Sequence, residues 1–200
     1  MKLLLADPDR DFLKSYGTLL TLSDHTVTTV FDGTQVMMKL LSQSFDMVIL
    51  NERMHRIPTR ELIRESRSKG IPVIVLSKQR LHSEMLTAEP LASDYLPLPF
   101  LPKDLLEAID LVRRQRQSTE ILRFEDVSIE AGDFTLCGTL PITAGETAIF
   151  YVLLQHESIS DKRAETYITA LNYKLEKLQK NVRIRYLMND GYRLVKMNYE

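Results

Sequence analysis

Short apolar runs alternate with amphipathic stretches along the first part of the chain. The runs are Lys2 to Ala6, Thr26 to Phe31, Met47 to Leu50, Pro72 to Leu76 and Asp94 to Leu96. Their length and their lack of polar interruption predict strands buried on both faces. Between them, helical periodicity covers Arg10 to Leu22, Thr34 to Gln43, Thr59 to Lys69, Leu81 to Leu91 and Pro102 to Arg116. Gly70 followed by Pro72 is a helix stop, and Asp9 and Asp32-Gly33 are caps. Five strand-helix units in succession predict an α/β fold, a doubly wound five-stranded parallel sheet.

The pattern then changes. Arg113 to Thr119 is polar, lacks apolar anchors and reads as a linker, which sets the domains at residues 1–117 and 121–200 with 118–120 between them. Short alternating strands follow from Ile121 to Thr139, then a helix over Glu146 to Gln155. A second helix, Arg163 to Leu178, carries Ile168, Leu171, Leu175 and Leu178 at helical spacing. At the end Val182, Ile184 and Tyr186 alternate with Arg183 and Arg185. Asn189-Asp190-Gly191 supplies a φ > 0 turn, and Tyr192 to Met197 returns as the second strand of a hairpin. The second domain is therefore small and α+β.

Composition narrows the function classes. Of 200 residues, 44% are hydrophobic and 26% charged, as in an ordinary soluble domain. Lys plus Arg number 26 against 27 for Asp plus Glu, so the whole chain carries no nucleic-acid signal. The apolar start Met1 to Ala6 is interrupted by Asp7, too short for a signal or spanning segment, and membrane involvement is not expected. The single cysteine, Cys137, excludes an internal disulfide and fits a reducing cytoplasm. His55 has no second His or Cys at ligand spacing, so neither metal nor cofactor is expected. Charge is uneven locally: Asp161 to Met197 holds nine basic residues against four acidic ones, a patch able to hold phosphates without reading bases.

The strand Met47 to Leu50 ends on Asn51, at the carboxyl edge where an open parallel sheet presents its chemistry. A carboxamide there is uncharged and is not a nucleophile toward a phosphoryl group.

Several segments together resemble the OmpR/PhoB family of response regulators, a receiver domain followed by a winged-helix DNA-binding domain. Pro72 to Ser77 looks like the family's fourth strand ending in its Ser/Thr, and Ala92 to Phe100 is similar to A-D-D-Y-L-x-K-P-F. Ile142 to Leu154 looks like L-T-P-T-E-F-x-L-L, and Gly191-Tyr192-Arg193-Leu194 matches the closing G-Y-R-L. The resemblance covers nearly the whole chain and implies a flavodoxin-like receiver and a winged-helix-like second domain.

It also implies a pocket that this chain does not keep. The family's two acids after the first strand and its acceptor aspartate hold Mg²⁺ against an anionic donor. Here the matching residues are Asp7, Pro8 and Asn51, and the family's lysine is Leu98, which leaves Ser77 and Tyr95 from the switch. Asp9 is one position late for the pocket and reads as a helix cap. The receiver is thus expected to be atypical, a pseudo-receiver closed by apolar bulk at Leu98 and Pro99, and the protein to be no enzyme.

In the second domain Ile168, Leu171, Lys174 and Leu175 stay in register with the family's recognition helix. Ala170, Asn172 and Tyr173 take outward positions usually given to polar groups, and Met188 replaces the wing arginine. Only Gln155 to Lys162 separate the two helices, too few residues for the helix the family places there. Candidate DNA contacts are Arg163, Lys174, Lys177, Arg183, Arg185 and Arg193. A homodimer is expected through Asp94, Asp104, Leu105, Ile109 and Val112. The expected function is phosphorylation-independent, cytoplasmic transcription control through DNA. The alternative is a protein-interaction module in which the pseudo-receiver docks on a partner protein and the second domain reads no operator.

Overall fold

The computed structural model describes residues 1–78, 91–155, 159, 162–188 and 190–197, with the backbone alone at Lys162 and Arg163. The described residues divide into two compact units, one of residues 1–78 and 92–112 and one beginning at Arg113.

In the first unit β1 (Lys2–Ala6), β2 (Thr26–Val30), β3 (Met47–Asn51), β4 (Val73–Ser77) and β5 (Asp94–Pro97) form one parallel sheet in the order β2-β1-β3-β4-β5. Every residue of β3 and β4 is buried, because helices cover both faces of a doubly wound sheet. Edge strand β2 is half exposed and is built from Thr and Val, whose branched side chains suit a pleated, partly wet surface. The helices are α1 (Arg10–Leu22), α2 (Gly33–Ser42), α3 (Thr59–Ser68) and α4 (Pro102–Gln117). Asp9 caps α1 by accepting from the amides of Asp11 and Phe12, and Asp32 caps α2 by accepting from Gln35. The helix expected over Leu81 to Leu91 lies outside the described residues except for Leu91.

The stretch read as a linker is largely helix: α4 runs through Gln117, and Gln115 is buried, its amide donating to Thr147 Oγ1 at 2.7 Å. The helix thus ends one residue past its expected end at Arg116, residues 118–120 have no regular structure, and the polar last turn still buries one residue, an amide with a partner.

The second unit is β-rich. Strands β6 (Ile121–Phe124), β7 (Val127–Glu130), β8 (Thr135–Leu136) and β9 (Leu140–Pro141) make an antiparallel sheet in chain order. Helices α5 (Ala144–Leu154) and α6 (Lys162–Lys177) precede the hairpin β10 (Val182–Leu187) and β11 (Gly191–Lys196). Thr143 and Glu146 form a capping box that starts α5. Ala164, Ile168, Leu171 and Leu175 put one stripe of α6 into the core. Gly145 allows a close approach, since a Cβ there would meet the Tyr167 ring at 2.4 Å. Among the described residues no helix lies between Leu154 and Lys162.

Candidate functional site

The sheet order reverses between β1 and β3, the place where an open α/β sheet offers a crevice at its strand ends. Ala6 pairs in register with Leu50, so the next residues, Asp7 and Asn51, meet at that edge. Both are buried, at 4% and 6% exposure. The Asn51 amide nitrogen donates to Asp7 Oδ2 at 2.8 Å, and Asn51 Oδ1 accepts from the Arg53 amide at 2.8 Å. The other Asp7 oxygen accepts from the Asp9 amide at 2.8 Å. The polar groups at the bottom of the pocket therefore satisfy one another without a cation.

That arrangement does not suit Mg²⁺. An amide N–H, a donor, faces the one acid retained after β1, and Pro8 has neither a side-chain oxygen nor an N–H to give. Among the described residues there is no group of three or more His, Cys, Asp or Glu able to hold a metal ion.

Glu52 was missed by sequence reasoning. Its carboxylate turns back over the sheet edge, where Oε2 accepts from the Ser77 hydroxyl and Oε1 accepts from the Lys78 amide at 2.9 Å. The Glu52 amide in turn donates to Leu76 O at 2.9 Å. Ser77 is thus committed to an anion belonging to its own chain. Only the acid's place just after the strand could have hinted at this, because the contact depends on how β3 and β4 lie side by side.

Leu98 does less than expected. It is half-buried and Pro99 is exposed, so the pocket is closed by polar bonds at Asn51 and Glu52 rather than by apolar bulk. The Leu98 amide donates to Ser77 O at 2.6 Å, which fixes the backbone there. Tyr95 packs against the sheet core, and its hydroxyl accepts from the Ala92 amide at 3.3 Å.

The expected dimer residues are mostly unavailable. Asp94, Leu105, Ile109 and Val112 are at most 5% exposed, since the apolar stripe of α4 turns inward. Asp104 is half-buried and accepts from the Leu101 amide at 2.8 Å in the first turn of α4.

The expected DNA contacts separate into distinct groups. Lys174 is 4% exposed and donates to both Glu146 oxygens at 2.8 Å, so it is a buried ion-pair partner and not a phosphate contact. Burial raises the Glu146 pKa, opposed by the Lys174 charge, while burial lowers the Lys174 pKa, opposed by Glu146. Arg193 pairs with Asp190 at 2.6 Å, and Arg183 Nη1 donates to the carbonyls of Lys180 and Val182. Lys177 and Arg185 are exposed. The Arg163 side chain lies outside the described set. Of the positions taken as outward on α6, Ala170 is buried and Tyr173 is exposed. Asn172 clamps the hairpin to α6, its amide donating to Ile184 O at 2.9 Å and accepting from Ile184 N at 2.8 Å.

A receiver-type sheet with its strand-end pocket defines the class, and comparison with known proteins agrees. Residues 3–110 match the family model described as the response regulator receiver domain, and the chain belongs to that family. Over 195 residues it is 24% identical to the response regulator ArlR of Staphylococcus aureus, covering 94% of this chain and 89% of the relative. Among solved structures, a mutant of RitR superposes with a TM-score of 0.63 at 19% identity, covering 98% of this chain and 99% of that one. DrrB of Thermotoga maritima, described as an OmpR/PhoB homologue, gives 0.56 at 19% identity with the same coverage. The two-unit fold is that of an OmpR/PhoB-type response regulator. No helix among the described residues is long and apolar enough to cross a membrane.

Proposed function

We propose that this response regulator controls transcription without phosphorylation, its second unit acting as a shortened winged-helix domain that holds DNA. The observation that carries the reading is the hydrogen bond from Asn51 Nδ2 to Asp7 Oδ2. It puts a neutral donor where a phosphate acceptor and metal site would need carboxylates. The Ser77 hydroxyl, given to Glu52, supports a receiver that rests in one state.

For DNA, support comes from the exposed cations Lys177 and Arg185 on α6 and the hairpin. With Lys174 buried and Arg193 paired, few phosphate contacts remain, so binding is mainly electrostatic and weakly selective. A fluorescence-anisotropy titration of the full chain against duplex DNA over a salt series tests this. Log affinity should fall linearly with log salt, and Arg185→Ala should weaken binding to all sequences alike and flatten the slope by about one unit. The same loss of cations favours a second reading, a protein-interaction module. Absence of any binding at low salt would decide for it.

A further inference from the structure

The outer edge of the receiver sheet at the β2 end is paired on one side only, with β1. Thr26 N donates to Met1 O at 2.8 Å, and Val30 O accepts from Asp7 N at 3.2 Å. Thr26, Thr28 and Val30 therefore turn their backbone groups toward β1, and the alternation points the amides and carbonyls of Val27 and Thr29 out of the sheet. The edge is closed at both ends, since His25 N donates to Leu20 O at 3.1 Å and Phe31 N donates to Gln35 Oε1 at 3.2 Å. Two donors and two acceptors, those of Val27 and Thr29, stay open.

Proteins ordinarily guard such an edge with lysine, proline or a bulge. Thr26-Val27-Thr28-Thr29-Val30 contains no charge and no proline, and its register with β1 runs without a bulge. Beside it a groove of about 380 Å³ lies between α1 and the strand, lined by Leu13, Gly17, Thr21, Val27 and Thr29, with Leu22 at 80% exposure on its rim. Past the two ends of the strand stand exposed charges of opposite sign. Asp24 precedes it, and Arg10 covers the Phe31 ring at 4.3 Å just after it. Neither makes an ion pair among the described residues.

We propose that this edge pairs with the same edge of a second copy of the chain, antiparallel about a twofold axis at Thr28. In that register Val27 of each copy faces Thr29 of the other and exchanges both bonds with it, so every open group finds a partner. The neighbouring registers do not achieve this. Opposing Val27 to Val27 sets Thr29 against His25, and opposing Thr29 to Thr29 sets Val27 against Phe31, and those two amides are already taken. The same register brings Asp24 of each copy toward Arg10 of the other, one pair at either end. It also lays the two α1 helices side by side on one face of a continuous sheet, which covers both grooves and shelters Leu22. Self-complementary charge and the single satisfying register favour a second copy over an unrelated extended peptide. The surface is distinct from the α4 stripe, which the receiver's own core has taken.

The test is sedimentation of the full chain over a micromolar to millimolar series, with amide hydrogen exchange followed residue by residue at both ends of the series. The wild type is expected to pass from monomer to dimer, and the Val27 and Thr29 amides to become protected as it does. Thr28→Lys sets two ammonium groups across the axis, where the Cα atoms are about 4.5 Å apart, and should leave a folded monomer by circular dichroism. Arg10→Glu should weaken the dimer by about tenfold, and adding Asp24→Lys should restore it, because the pairs then re-form with reversed sign. A wild type that stays monomeric throughout overturns the self-pairing and leaves the edge to a different strand donor. So does a dimer in which the Val27 and Thr29 amides exchange as fast as in the monomer, or a double variant that associates no better than Arg10→Glu alone.

Discussion

Each unit of this protein buries a carboxylate, and the two are stabilised differently. In the receiver, Asp7 is answered by neutral dipoles, the Asn51 amide and the Asp9 backbone N–H. In the second unit Glu146, with no exposed surface, is answered by a full positive charge on Lys174 and by the Thr143 amide. A carboxylate held by neutral dipoles that loses one partner keeps the others and leaves no unpaired opposite charge. One held by a buried ammonium leaves a bare charge behind when that partner goes. The first arrangement satisfies a buried acid at the strand ends with neutral donors, while the second ties α5 to α6 across the core.

The largest effect should therefore fall on the second unit. Lys174→Met strands Glu146 and is expected to destabilise that unit by about 3–5 kcal/mol in urea unfolding. Adding Glu146→Leu should recover much of the loss, because the bare charge is then gone. If the single variant unfolds like the wild type, the two clusters do not differ as described.

Next in size is Asn51→Asp. It exchanges a donor for a second carboxylate at hydrogen-bond distance from Asp7, and should cost about 1–3 kcal/mol near neutral pH. Repulsion raises the folded-state pKa of one of the two acids, so proton uptake favours the folded variant. The penalty should accordingly shrink as pH falls, which thermal unfolding across a pH series will show.

Smaller still is Leu98→Lys. Because Leu98 is only half-buried and the pocket is closed by polar bonds, the change should stay within about 1 kcal/mol. A loss of several kcal/mol by calorimetry would restore apolar bulk as the closing element.

What could be read from the residues follows the range of the interactions involved. Apolar runs and caps are local, and α1 lies where its periodicity and Asp9 put it, over Arg10–Leu22. The short interval after Leu154 speaks against a helix there from length alone, and most of it lies outside the described residues. Residue roles set by tertiary packing were not legible. Leu105, Ile109 and Val112 form an apolar stripe, which is as consistent with the chain's own core as with a partner, and the core took it. Lys174 looked like a surface cation because its partner, Glu146, lies on another helix. Asn172 looked like a lost DNA contact because the backbone groups of Ile184 that it holds come from a strand after the helix. Glu52 was passed over for the same reason, since its partners stand on the neighbouring strand's end.

The central claim is that the receiver pocket is closed by its own polar groups and cannot accept a phosphoryl group. Intact-mass measurement after incubating the full chain with a small phosphodonor and Mg²⁺ tests it most directly. The predicted result is an unmodified mass for the wild type and no change in sedimentation. A phosphoryl adduct mapping to the pocket would contradict the account.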